Sequence, residues 1–103
     1  SDLRNSKVAD LVAGLASYGT VVRVHDPLAD AAEAKHEYGI TLSGWEELPA
    51  ADALVLAVGH AGYLDQPLAQ LLSRCKPGGC VVDIKSCLDP QAVRAGGRSL
   101  WRL

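Results

Sequence analysis

The chain has 103 residues, the size of one domain, and 49% of them are apolar, enough to build a core. A formal net charge of −2 with 21% charged residues excludes a broad basic face for nucleic acid and a polybasic membrane patch. No apolar run approaches the roughly 20 residues that span a bilayer, and no basic-then-apolar leader opens the chain, so a cytoplasmic protein is expected.

Asn5 and Ser6 are good N-caps, and Val8, Leu11, Val12 and Leu15 follow at helical spacing before Gly19. A helix is predicted from about Ser6 to Tyr18. Val21 to His25 is rich in β-branched residues and ends at Asp26-Pro27, which predicts a short strand. Ala29 to Tyr38 is rich in Ala and Glu and stops at Gly39, a second helix. Ile40 to Leu42 fits a short edge strand, and Trp45 to Leu48 a helical turn before Pro49.

Ala53 to Val58 is a continuous apolar run closed by Gly59-His60, the pattern of a strand buried on both faces. Tyr63 to Arg74 suits a helix with Pro67 near its start. Lys76-Pro77-Gly78-Gly79 predicts a turn and Cys80 to Asp83 another strand. Asp89-Pro90 opens a short helix to Ala95, Gly96-Gly97 ends it, and Ser99 to Leu103 forms a final strand.

Alternation of helix and strand predicts an α/β, Rossmann-like, three-layer domain with a parallel sheet flanked by helices. Residues 1–103 are expected to form a single domain. The pattern opens on a helix, whereas doubly wound folds normally open on a strand. The first strand is therefore expected to belong to a longer parent protein and to be missing from this chain.

Parallel α/β sheets bind ligands at the carboxyl ends of strands and at helix N-termini. Four features fall on that edge: Arg4 before the first helix, His25-Asp26-Pro27, Gly59-His60, and Asp83-Ile84-Lys85-Ser86. Each has a plainer reading. Arg4 could be a solvated residue and His60 a loop residue that fills space. Asp26 is expected to cap a turn with Pro27, and Trp45 and Trp101 to be packing residues. Lys85, a cation at a carboxyl strand end, favours a ligand role.

No G-x-G-x-x-G occurs, and Gly78-Gly79 and Gly96-Gly97 precede strands, the wrong side for phosphate. A self-contained dinucleotide site is therefore not expected. Cys75, Cys80 and Cys87 are odd in number, and their spacing fits neither a disulfide framework nor a zinc site. They read as ordinary thiols, and no catalytic or metal-binding residue is assigned.

A series of motifs then stands in order along the chain: Asp2-Leu3-Arg4-Asn5-Ser6-Lys7-Val8, Val24-His25-Asp26-Pro27, Glu37-Tyr38-Gly39, Ala51-Asp52-Ala53, Ala57-Val58-Gly59-His60, Lys76-Pro77-Gly78-Gly79 and Val82-Asp83-Ile84-Lys85. Together they resemble the C-terminal, UDP-sugar-binding domain of the UDP-glucose/GDP-mannose dehydrogenase family. Their wording looks most like the bacterial branch that acts on UDP-N-acetylhexosamines for surface polysaccharides such as lipopolysaccharide.

The resemblance implies an NAD-dependent oxidation of the sugar 6-hydroxyl to a carboxylate, with two NAD used per turnover. It implies that NAD is held mainly by an N-terminal domain and that the catalytic cysteine and lysine lie upstream. A central domain and a homodimer or higher oligomer are implied as well, and the fragment alone is expected to be inactive. By position, Arg4 matches the arginine of the family's Asp-x-Arg motif, which reaches the NAD. Lys85 matches a basic position, often arginine, that contacts the UDP-sugar, and Asp83 is expected to orient the Lys85 loop at that substrate site. The alternative is a standalone, non-catalytic nucleotide-binding or regulatory module. The chemistry agrees with the roles of Arg4 and Lys85, because both are cations at the ligand edge and both NAD and the UDP-sugar carry pyrophosphate.

Overall fold

The structure, a computed structural model, describes residues 6–102. It consists of two compact units, Ser1–Leu48 and Pro49–Leu103.

In the first unit, α1 spans Ser6–Ser17 and α2 spans Ala31–Tyr38. The spacing predicted for α1 is realised: Val8, Leu11, Val12 and Leu15 are half-buried, while Lys7, Asp10, Ala13 and Gly14 are exposed. α2 begins where Asp30 accepts a hydrogen bond from the Glu33 amide at 2.9 Å, a cap worth about 1 kcal/mol. Buried Ala34 and Ile40 gather Val8, Ala9, Val12, Val24, Ala29 and Leu42 around them.

The predicted strands at Val21–His25 and Ile40–Leu42 meet at one parallel bridge, Val24 to Leu42. The Ser43 amide extends it by donating to the Val24 carbonyl at 2.8 Å. A ladder this short leaves Val21 81% exposed. A single 3₁₀ turn, Trp45–Glu47, follows.

The second unit is a parallel three-stranded sheet flanked by helices, the Rossmann-like α/β arrangement that alternation predicts. Its strands are β1 (Ala51–Leu56), β2 (Cys75–Asp83) and β3 (Ser99–Arg102), in that spatial order. Leu54, Val55 and Leu56 pair with Val81, Val82 and Asp83, and these in turn pair with Leu100, Trp101 and Arg102. The shared register brings the carboxyl ends of all three strands to one edge. Among the described residues β1 is an edge strand despite its apolar sequence, with Ala53 exposed and Leu54 and Val55 half-buried.

Two expectations are corrected here. The helix predicted over Tyr63–Arg74 is two helices, α3 (Ala61–Leu64) and α4 (Leu68–Leu72). Pro67, extended at ψ 140°, stands between them as the cap of α4. Its ring bars helical geometry at the residue before it, and it has no amide to continue the ladder. The turn predicted at Lys76–Gly79 lies inside β2 as an irregularity, where two steps of β1 match five of β2. Gly78, at φ +80°, donates its amide to the Gly97 carbonyl at 2.8 Å.

α5 (Pro90–Ala95) starts on Asp89, whose side chain accepts from the Gln91 amide at 3.0 Å. α4 packs on β2 and α5, and α5 packs on β3. Arg98 fastens this layer. Its guanidinium donates to the Cys75 carbonyl at 2.6 Å, to the Leu72 carbonyl at 3.0 Å and to the Gly96 carbonyl at 2.6 Å. One planar fork thus satisfies the ends of α4 and α5 and the start of β2.

Candidate functional site at the carboxyl edge of the sheet

The site is built on the loop that leaves β2. Asp83, the last residue of β2, is fully buried. One carboxylate oxygen accepts from the Cys87 amide at 3.0 Å and the other from the Leu88 amide at 2.8 Å. At the loop's start, the Ile84 amide donates to the Leu56 carbonyl of β1 at 3.1 Å. At its end, the Leu88 side chain is buried, 7% exposed.

Between these anchors Lys85, Ser86 and Cys87 are exposed. Ser86 sits at φ +55°, the left-handed region. For a residue with a Cβ that conformation costs on the order of 1–2 kcal/mol, and it persists where the surroundings over-determine it. The Asp83 clamp supplies that constraint.

The loop after β1 meets this one directly. A Cβ on Gly59 would lie 2.8 Å from Cys87 Sγ, so any larger residue there would push the Cys87 side chain aside. The ends of β1 and β2 therefore form one continuous rim, with Lys85 as its exposed cation. Both Asp83 oxygens accept from loop amides and the side chain is fully buried, so it acts on a ligand through the loop it holds.

Other residues singled out from sequence are placed as follows. Arg4 lies outside the described residues. Asp26 is a cap: its Oδ1 accepts from the Leu28 and Ala29 amides at 2.9 and 3.1 Å. His25 packs edge-on against Trp45 with ring centroids 5.4 Å apart, and burial pulls its pKa down against the opposing pull of Asp26. His60 is half-buried and edge-on to Tyr63 at 6.0 Å. Trp101 is 65% exposed, against the packing role expected for it, because it lies on the short edge strand β3.

Cys75, Cys80 and Cys87 are all free thiols. Burial pushes the Cys75 thiol pKa up, with Arg98 opposing it, and only Cys87 is exposed. Among the described residues no group of His, Cys, Asp and Glu could hold a metal ion, and no helix is long and apolar enough to cross a membrane.

Sequence reasoning missed one residue of this edge. Arg102, at the end of β3, donates through Nη2 to the Leu88 carbonyl at 2.6 Å. Its position at a carboxyl strand end was the available signal.

The family model described as "UDP-glucose/GDP-mannose dehydrogenase family, UDP binding domain" matches residues 1–90. A UDP-N-acetyl-D-glucosamine 6-dehydrogenase of Pseudomonas aeruginosa is 40% identical over 88 residues, 85% of this chain and 21% of that protein. Protein CapL of Staphylococcus aureus is 36% identical over 102 residues, 99% of this chain and 24% of that protein. A UDP-N-acetyl-D-glucosamine 6-dehydrogenase of Salmonella typhi is 39% identical over 90 residues, 87% of this chain and 21% of that protein. The chain thus spans less than a quarter of the length of these relatives.

Proposed function

The chain belongs to the UDP-glucose/GDP-mannose dehydrogenase family, whose UDP-binding domain it matches, and on that footing we propose that it helps bind the UDP-sugar in an NAD-dependent 6-dehydrogenase. The substrate is a UDP-N-acetylhexosamine, as named for two of the relatives. The product, a 6-carboxylate, serves as a cytoplasmic precursor of surface polysaccharide. The observation that carries this reading is Lys85: an exposed cation on a rigidly anchored loop at the ligand edge of a parallel sheet, inside the matched segment.

Within the chain's own chemistry, the Lys85 ammonium pairs with the diphosphate and Asp83 holds the loop that presents it. No glycine-rich turn follows a described strand to cradle a dinucleotide. NAD, which takes up the hydrides from the sugar alcohol, is therefore held by the rest of the parent protein, with Arg4 reaching it. That remainder also supplies the central and catalytic domains and the oligomer contacts.

Substitution in the full-length parent tests the assignment. Lys85→Ala should raise KM for the UDP-sugar about tenfold or more, the loss of one charge-assisted hydrogen bond, and leave KM for NAD near wild type. Arg4→Ala should do the reverse. Wild-type kinetics in both variants would show that the sites are misassigned.

A further inference from the structure

We infer that Arg102 is a positioning residue for the UDP-sugar site, acting through the loop that carries Lys85. The inference rests on the substrate role proposed for Lys85 and adds a residue outside the segment that the family model matches.

The geometry is a two-sided grip on one residue. Asp83 and Arg102 are register partners across β2 and β3. Asp83 takes the Leu88 amide at 2.8 Å, and Arg102 Nη2 donates to the Leu88 carbonyl at 2.6 Å. Leu88 is thus held by its amide, its carbonyl and its buried side chain. The segment from Ile84 to Cys87 is therefore fixed at both ends, and its left-handed residue, Ser86, shows that it is held in a form it would not choose freely.

Releasing the carbonyl frees the far end of that loop. Lys85 lies three residues from Leu88, so slack at Leu88 becomes misplacement of the ammonium. A displacement of about 1 Å can cost up to about a hundredfold in a positioned site. The contact is made by a charged donor to a neutral carbonyl, and the guanidinium geometry lets Nη2 reach it from a strand end.

A double-mutant cycle in the full-length parent enzyme tests this. Arg102→Ala should raise KM for the UDP-sugar about five- to tenfold, with kcat and KM for NAD within about twofold of wild type. Arg102→Lys, which keeps a cationic donor group without the guanidinium fork, should recover part of the loss. The decisive arm is Lys85→Ala combined with Arg102→Ala. If Arg102 acts by placing Lys85, the double variant should match Lys85→Ala alone.

Multiplying effects would overturn the inference and show that Arg102 acts independently of Lys85. An unchanged KM in Arg102→Ala, where Lys85→Ala does raise it, would overturn the inference while leaving the substrate reading intact. An unchanged KM in Lys85→Ala would instead remove the substrate reading itself.

Discussion

Asp83→Ala is expected to destabilise the folded chain by about 3–4 kcal/mol. Two backbone amides, Cys87 and Leu88, donate to this carboxylate, and the second bond is buried. Hydrogen bonds to a charged group are worth about 1.5–3 kcal/mol each, and a buried donor left without a partner costs the full desolvation term. The small cavity adds to this. Asp83→Asn keeps the shape and one acceptor, but it turns an NH₂ group toward the second amide. It should cost about 2 kcal/mol, because one donor then faces another. Urea unfolding of both variants gives the comparison, with the slope checked for constancy. A loss below about 1 kcal/mol for the alanine variant would mean that the loop is not held by this clamp.

Leu72→Ala should cost about 3 kcal/mol. Leu72 is 3% exposed, in the last turn of α4, and truncation of a buried leucine combines lost transfer energy with a residual cavity. Its neighbour makes a sharper test. A Cβ on Gly96, at the end of α5, would lie 2.7 Å from Leu72 Cδ1. Gly96 has φ −77° and ψ 3°, a conformation that alanine tolerates, so the penalty for Gly96→Ala is steric, about 1 kcal/mol. In the double variant the added methyl occupies space that Leu72 vacates. The combined loss should fall short of the sum of the two single losses by about 1 kcal/mol. Simple additivity would show that α4 and α5 do not meet at this point.

The helices and the order of elements were legible because they depend on neighbours in sequence. The spacing of Val8, Leu11, Val12 and Leu15 and the helix stop at Gly39 needed no tertiary context. The apolar run at Ala53–Val58 was legible as a strand, but not its place at a sheet edge, since composition does not say which neighbours are present. Pro67 was underrated: read as a residue near a helix start, it divides two helices. The run Lys76–Gly79 reads as a turn and is a distortion inside β2, a case where local chemistry holds while the strand continues around it.

The candidate site was legible in outline. The rule that ligands meet parallel sheets at carboxyl strand ends picks out the Asp83–Ser86 segment from the sequence. What it could not supply were long-range partners. Asp83 bonding forward to Leu88, Arg102 reaching Leu88 from another strand and Cys87 lying against Gly59 all depend on register and loop packing. The same holds for Arg98, whose carbonyl partners come from α4, β2 and α5.

The central claim is that this chain contributes the loop after β2 to a UDP-sugar site. Photolabelling of the full-length parent with an azido-uridine diphosphate sugar, followed by peptide mapping, tests it most directly. The account predicts UDP-protectable label on the peptide that contains Ile84–Leu88. Protectable label found only outside residues 1–103 would contradict it.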